Sequence, residues 1–512
     1  MKPKPFKLIM FFCILFFFLN GNRLTAQEIP ALKAKISVSP EMRNSFLKNG
    51  RLILRLTKNR GKEPRNGAEI TLGATAQNWN PNAPFIIDTK DNNVIISGLE
   101  KGSVLPSGMY YYQVVYKQNV DDGQENVPGN LYSNVDSTVL SPNALINLSL
   151  DKLIPFFEII KNKFVKSVVV KSKLLSDFSG KPRYLQASVL LPSGYFDHPE
   201  RSYPICYRAP GLNGRAYYIR DFITDHAFAD WWFTEQAPQI IYVCLDSQGP
   251  YGDTYQVDSE NNGPCGKALT EELIPELEKQ VRYDAKSKMR YLVGYSTGGW
   301  VALGLQIFYP DFFDGAWSYS PDPVDFEHFG LINMYADESI FYNRFGYLQP
   351  GRRTIYGEPI RSMKDWITSE NVVSRTKNYL VSGGQFGAYN AVFSPKENDG
   401  LPALAFDPVT GKIDHEIAKQ WEKYDLKKIL ANNWSTLGPK LQGKIWIWTG
   451  DMDGLYSNVA TRFLKEFLDK TENPKSDAKI SFTPMAGHCQ EWDDKAALIL
   501  ISEKVSEIKK KK

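Results

Sequence analysis

One stretch constrains this chain more than any other: Met289-Arg290-Tyr291-Leu292-Val293-Gly294-Tyr295-Ser296-Thr297-Gly298-Gly299-Trp300. An apolar run of strand character ends in Gly-x-Ser-x-Gly and passes directly into a helical pattern. So sharp a turn forces the serine into a strained backbone conformation, and the flanking glycines remove side chains that would clash. The Ser296 hydroxyl then projects from the carboxyl edge of a sheet, at a helix N-terminus, where a developing oxyanion is stabilised.

The surrounding pattern fits such a sheet. From about residue 164, apolar strand-like runs alternate with helical stretches. The expected strands are Gln186 to Leu191, Ile205 to Arg208, Gln239 to Leu245, Tyr291 to Val293, Gly315 to Ser318, Lys444 to Trp448 and Lys479 to Phe482. Helices are expected at Leu269 to Val281, Trp300 to Phe308 and Asn458 to Leu468. Alternation of this kind predicts an α/β unit over residues 161–512, a mostly parallel sheet with helices on both faces. Residues 322–440 interrupt it with a Pro/Gly-rich, aromatic stretch carrying Trp366, Trp421 and Trp434, which reads as an insertion forming a lid or pocket wall.

Residues 27–160 differ. Short alternating runs such as Arg51 to Leu56 and Tyr110 to Tyr116 are separated by Asn, Gly, Pro and Asp clusters, which predicts a small all-β, sandwich-like accessory unit. It carries no catalytic cluster, so its expected role is structural or substrate-positioning.

The first 26 residues hold Lys2, Lys4, Lys7 and Arg23, no acidic residue, and twelve unbroken apolar residues from Leu8 to Leu19. A basic start, a short apolar run and Leu24-Thr25-Ala26 describe a signal peptide cleaved after Ala26. Twelve residues rise only about 18 Å as helix, short of a bilayer core of roughly 30 Å. The expectation is an exported protein, periplasmic or extracellular, with no stable membrane anchor after cleavage. Removing these four from the 61 basic residues leaves 57 against 57 acidic ones, so no electrostatic footprint for nucleic acid remains. The block Lys509 to Lys512 reads as a solvated tail.

With 43% hydrophobic and 13% aromatic residues, the chain cannot be wholly disordered. Five cysteines exclude a disulfide scaffold, and five histidines with no H-x-x-x-H arrangement give no zinc pattern. No metal or cofactor is implied. Cys206 and Cys244 are expected buried and reduced, whereas Cys265 and Cys489 fall in loops that an oxidising compartment would allow to pair.

An activated serine needs a base, and the base an orienting acid. On an elbow of this type the acid and then the histidine follow the serine in the chain. His198 and His226 precede Ser296, and His328 and His415 fall in the insertion, which leaves His488 after the last expected strand. The acid should follow Ile445 to Trp448, where Gly450-Asp451-Met452-Asp453-Gly454 offers two aspartates. Asp453 is favoured over Asp451, the other being expected to cap the next helix. The oxyanion donors should be the amides of Thr297 and of Leu212, the latter in Arg208-Ala209-Pro210-Gly211-Leu212-Asn213-Gly214 after an earlier strand. Arg208, at that strand's end, is a candidate partner for an acidic substrate group.

Several segments carry a family resemblance: Val189 to Tyr195, Tyr203-Pro204-Ile205, Glu272-Leu273-Ile274-Pro275, the elbow Gly294 to Gly299, Ser318-Tyr319-Ser320-Pro321, and Gly487-His488 with Trp492. Together they resemble the esterase family of α/β-hydrolases that includes esterase D, feruloyl and acetyl xylan esterases, enterochelin-type esterases, S-formylglutathione hydrolases and mycolyltransferases. The likeness runs from about Tyr184 to Lys504, outside much of the insertion. It implies Ser296 as nucleophile, His488 as base, Asp453 as acid, and the Leu212 and Thr297 amides as oxyanion donors. Relatives often place a histidine where this chain has Pro210. The implied activity is a serine esterase cleaving carboxylic esters, with acyl or feruloyl groups on polysaccharide as the favoured substrate. The alternatives are an acyltransferase using the same triad and a non-catalytic carbohydrate-binding relative.

Overall fold

The computed structural model describes residues 32–99, 106–141, 144–286 and 289–511; the expected export segment, residues 1–26, lies outside them. Eight strands build the sheet that carries the elbow: β1 (Val165–Ser172), β2 (Arg183–Leu190), β3 (Ile205–Ala209), β4 (Ile241–Leu245), β5 (Arg290–Tyr295), β6 (Ala316–Tyr319), β7 (Ile445–Gly450) and β8 (Lys479–Thr483). Their order is β1-β2-β4-β3-β5-β6-β7-β8. The β1–β2 and β2–β4 pairs are antiparallel and every other pair is parallel. Every expected strand is present, and β1 adds an edge strand before them.

A parallel sheet must be covered on both sides, and the two-residue period of these strands serves both faces. Ile205, Tyr207, Ile241, Val243 and Leu245 enter one core, while Cys206, Tyr242 and Cys244 enter the other. Six helices cover the sheets or frame the elbow: α1 (Thr297–Phe308), α2 (Met363–Val373), α3 (Gln385–Phe393), α4 (Leu426–Leu441), α5 (Ser457–Asp469) and α6 (Asp494–Lys511). Helices α1, α4 and α5 close the first core. Helix α6 closes the second through Ala497, Leu498, Ile501 and Val505. Lys509 and Lys510 continue this helix and are exposed to solvent. This is an α/β-hydrolase fold. Among the described residues, no helix is long and apolar enough to cross a membrane.

The N-terminal strands form two sheets, one of three strands centred on Lys33–Val38 and one of seven containing Gly50–Thr57, Ile70–Ala76 and Gly108–Lys117. Ala34, Ile36 and Val38 of the first meet Leu52, Leu54, Leu72, Val114 and Tyr116 of the second, the sandwich core that the alternating pattern predicts. The opposite face of a sandwich sheet is usually solvated. Here Arg51, Ile53, Val115 and Lys117 on that face are also fully buried, because helix α2 of the insertion lies over it.

Polar bonds meet the charged groups trapped there, although Arg51 Nη2 is left without a hydrogen-bond partner among the described residues. Arg51 Nε donates to the Val372 carbonyl at 2.8 Å, and Lys117 Nζ donates to the Val381 and Ser382 carbonyls at 3.1 and 2.8 Å. Burial pulls the Lys117 ammonium down to about 7. The approach is so close that a Cβ on Gly73 would lie 2.0 Å from the Val372 carbonyl oxygen. Gly73→Val is therefore expected to lower stability by about 3 kcal/mol or more, as overpacking against backbone does. Denaturant unfolding checks this, and an unchanged midpoint would contradict the described docking.

The insertion between β6 and β7 is thus clamped between the sandwich and the sheet. Its tryptophans are mostly core. Trp421 is fully buried with Nε1 donating to Ser394 Oγ at 2.9 Å, and Trp434 Nε1 donates to the Pro474 carbonyl at 2.9 Å. These two rings are not free platforms, contrary to the expectation of an aromatic pocket wall, whereas Trp366 lines a cavity.

Candidate active site

Strand β5 runs to the sheet's carboxyl edge and turns into α1 at Ser296, whose φ of 54° and ψ of −126° lie outside the regions open to most L-residues. The turn is held from both sides, since Ser296 N–H donates to the Tyr319 carbonyl at 2.9 Å and Ser296 C=O accepts from Gly299 and Trp300 N–H. A Cβ on Gly298 would lie 2.2 Å from the Ala209 carbonyl oxygen and 2.5 Å from that of Pro210. The missing side chain lets the loop that carries Leu212 come against the first turn of α1. Thr297 opens that helix, so no intrahelical carbonyl reaches its N–H.

Strands β7 and β8 deliver the other two groups. His488 Nε2 lies 2.9 Å from Ser296 Oγ, and His488 Nδ1 lies 2.7 Å from Asp453 Oδ2. With Asp453 accepting at Nδ1, the neutral ring carries its proton there and leaves Nε2 to accept the serine proton. Asp453 is fully buried, and its Oδ1 takes the Leu455 N–H at 2.8 Å. A Cβ on Gly450, the last residue of β7, would meet the Ala486 carbonyl oxygen at 2.2 Å, so glycine there allows the histidine loop to close on the acid loop. Cys489 N–H then donates to Ser320 Oγ at 3.1 Å, and Trp492 packs on Tyr295 and Tyr319 with ring centroids 4.8 and 5.1 Å apart.

The other candidates occupy different places. Asp451 points outward to Arg462, and only its backbone oxygen joins the acid loop, accepting from Asn458 Nδ2 at 2.8 Å. Arg208 is not open to a substrate anion. Its guanidinium is buried, paired with Asp494 at 2.8 Å, and enclosed by the rings of Phe222, Tyr295 and Trp492. Cys206, Cys244, Cys265 and Cys489 are all free thiols, so Cys265 and Cys489 are not paired; Cys265 is buried and donates to the Asn262 carbonyl at 3.4 Å. His328 Nδ1 lies 2.7 Å from Asp325 Oδ2, outside the Ser296 relay, and His415 Nε2 meets the Asp337 carbonyl at 2.9 Å. Asp325, Glu327 and His328 cluster closely, but Lys427 Nζ sits 2.7 Å from Asp325 Oδ2 and supplies the positive charge a cation would bring.

Electrostatics at the histidine run in two directions. Burial works against the charged ring, but the adjacent Asp453 carboxylate and its hydrogen bond outweigh it and hold the His488 pKa well above the usual 6.5.

Sequence reasoning missed a polar network behind the helix start. Asp322 Oδ2 accepts from Tyr255 Oη at 2.6 Å, Thr297 Oγ1 at 2.8 Å and Gln385 Nε2 at 2.9 Å. All four residues are buried, and burial raises the Asp322 carboxyl pKa. The network ties Thr297 to the insertion helix α3. Its members are 25 to 130 residues apart, so no local motif announces it. Asp322 and Gln385 also line a small apolar cavity of about 50 Å³ with Phe329, Ile332, Trp366 and Tyr389.

The family model described as "Putative esterase" matches residues 181–493, more than half of the chain. No curated protein matches the chain. Among solved structures, a ferulic acid esterase aligns at 13% identity and a TM-score of 0.40, covering 67% of this chain and 98% of its own. An S-formylglutathione hydrolase from Agrobacterium tumefaciens aligns at 14% identity and a TM-score of 0.35, covering 68% and 95%. A ferulic acid esterase from Anaeromyces mucronatus, in complex with ferulic acid, aligns at 14% identity and a TM-score of 0.32, covering 66% and 90%. On the extent of the family match, the protein belongs to the esterase family of α/β-hydrolases and is a carboxylic ester hydrolase.

Proposed function

We propose that Ser296 is the nucleophile, His488 the general base, Asp453 its orienting acid, and the Leu212 and Thr297 amides the oxyanion donors. The observation that carries this reading is the unbroken relay from Ser296 Oγ through His488 to the fully buried Asp453, at 2.9 and 2.7 Å. Ser296 Oγ attacks the ester carbonyl while His488 Nε2 takes its proton. The carbonyl oxygen becomes an oxyanion, His488 returns the proton to the departing alcohol, and an acyl-serine remains. Water, deprotonated by His488, then attacks the acyl carbon and frees the carboxylic acid and Ser296. The His488 side chain keeps 22% exposure, so water reaches the site, which favours hydrolysis over transfer to another alcohol.

The enzyme is proposed to be exported, on the basic start, apolar run and small-residue end of residues 1–26, and to act on acyl or feruloyl esters of polysaccharide. Export toward polymer substrates and the accessory sandwich clamped to the insertion support that choice. Hydrolysis of p-nitrophenyl acetate, methyl ferulate and an acetylated xylan, beside covalent labelling with a fluorophosphonate, tests it. Release of ferulate or xylan-bound acetate is the expected result. Labelling of Ser296 with turnover of p-nitrophenyl acetate alone would sink the polysaccharide reading and leave the triad. Absence of labelling would sink the triad.

The raised His488 pKa sets the pH dependence. The base works only when neutral, so kcat/KM should rise with pH, and the midpoint of the acid limb should lie above 6.5. A pH–rate profile on p-nitrophenyl acetate reads this directly, and a midpoint at or below 6.5 would contradict it.

A further inference from the structure

Strand β6 ends at Tyr319, and the chain then turns through Ser320, with φ of 42°, and Pro321 to bring Asp322 against the start of α1. Glycine permits the approach, since a Cβ on Gly299 would lie 2.8 Å from the Tyr319 carbonyl oxygen and 3.1 Å from Pro321 Cα. We propose that Asp322 is a positioning residue for ester cleavage, holding the Ser296–Thr297 peptide unit so that its N–H faces the developing oxyanion. The inference rests on the reading of Ser296 as nucleophile and the Thr297 amide as oxyanion donor.

Asp322 grips that peptide unit from both ends. Its backbone N–H donates to the Ser296 carbonyl at 3.3 Å, and its Oδ2 accepts from Thr297 Oγ1 at 2.8 Å. A trans peptide unit is planar, with C=O and N–H pointing in opposite directions. Fixing the Ser296 carbonyl and the Thr297 side chain therefore fixes where Thr297 N–H points. Gly299 and Trp300 N–H also reach the Ser296 carbonyl, but they belong to α1 and move with it. Asp322 comes from another segment and ties the unit to the sheet.

The carboxylate is itself held in place. Tyr255 Oη and Gln385 Nε2 donate to the same oxygen at 2.6 and 2.9 Å, and Gln385 Nε2 also reaches Tyr255 Oη at 2.5 Å. Tyr255 sits at φ of 52°, a conformation that a tyrosine keeps only where its surroundings over-determine it. Ser320 and Tyr255 thus place backbone strain on two sides of one carboxylate, beside a serine that is strained as well. Burial disfavours a carboxylate and raises the Asp322 pKa, so packing alone does not explain one here. What it supplies is one oxygen that takes donors from three segments: the loop after β4, α1 and α3.

The direction of an oxyanion donor matters to rate. Loss of one donor lowers kcat by about 10²–10³-fold, and a displaced donor forfeits part of that effect.

Steady-state kinetics on p-nitrophenyl acetate, with active sites counted by fluorophosphonate titration, test the proposal. Thr297→Val keeps the side-chain shape, removes the hydroxyl and leaves Asp322 two donors, so it decides the matter even where Asp322→Ala does not fold. Each variant is expected to lower kcat about tenfold or more per titrated site, with KM within about threefold of the wild type. Thr297→Ser keeps the hydroxyl and should hold kcat within about threefold. The double variant should lose no more than about threefold beyond Asp322→Ala, because both substitutions break one bond.

A purely structural role would lower the melting transition and the titratable fraction while leaving kcat per site unchanged, and that result overturns the proposal. Equal losses in Thr297→Ser and Thr297→Val, or losses that multiply in the double variant, overturn it too. The two readings fail differently. Wild-type turnover without labelling of Ser296 removes the nucleophile and the inference with it. A labelled wild type whose kcat survives Thr297→Val removes the role of Asp322 and leaves the triad.

Discussion

Ser296→Ala is expected to lower ester turnover by about 10⁴-fold or more, and to abolish fluorophosphonate labelling, without lowering the melting temperature. Loss of a serine nucleophile in a triad removes nearly all covalent catalysis, and what persists comes from the oxyanion donors and substrate binding. The side chain has one partner, His488 Nε2 at 2.9 Å, and its backbone bonds to Tyr319, Gly299 and Trp300 survive the change. The left-handed φ of 54° is no worse for alanine than for serine. Stopped assays on p-nitrophenyl acetate and a thermal melt check both halves. Activity within tenfold of the wild type would mean that another group attacks the ester.

Asp453→Asn is expected to cost about 10³–10⁴-fold in kcat, and Asp451→Asn no more than about threefold. The difference follows from position. Asp453 is fully buried against His488 Nδ1, so an amide there presents an N–H to the ring, favours the wrong tautomer and leaves the imidazolium without a counter-charge. Asp451 meets Arg462, whose side chain is 47% exposed, and solvent screens that pair. Its contribution to the acid loop is a carbonyl oxygen, which asparagine retains. The acid limb of the pH–rate profile should also fall in Asp453→Asn, because the carboxylate that raises the His488 pKa is gone. Equal losses in the two variants would remove the distinction between the aspartates.

The sheet and its elbow were legible because their signals are local. Strand–helix alternation, apolar runs that bury both faces, and Gly294-x-Ser296-x-Gly298 all lie within windows of a few residues. Helix α6 carries a readable pattern too, with Ala497, Leu498, Ile501 and Val505 at three- and four-residue spacing, although its lysine-rich end by itself reads as a tail. Arg208 misled for a different reason. A charged residue at a strand end reads as available, and only the fold shows Asp494, 286 residues onward, already there.

Taken alone, the sequence determined the class of sheet, singled out Ser296 and His488 as candidates, and left a choice between two aspartates two positions apart. Those features depend on neighbours in the chain, where backbone sterics and periodicity act. Tertiary structure decided what depends on distant groups. It turned Asp453 inward and Asp451 outward, joined Asp322 to Tyr255, Thr297 and Gln385, and buried Arg51 and Lys117 beneath an insertion more than 250 residues away in the chain. Burial raises the cost of every unpaired charge and amide, and only a folded chain shows which groups are buried and what meets them.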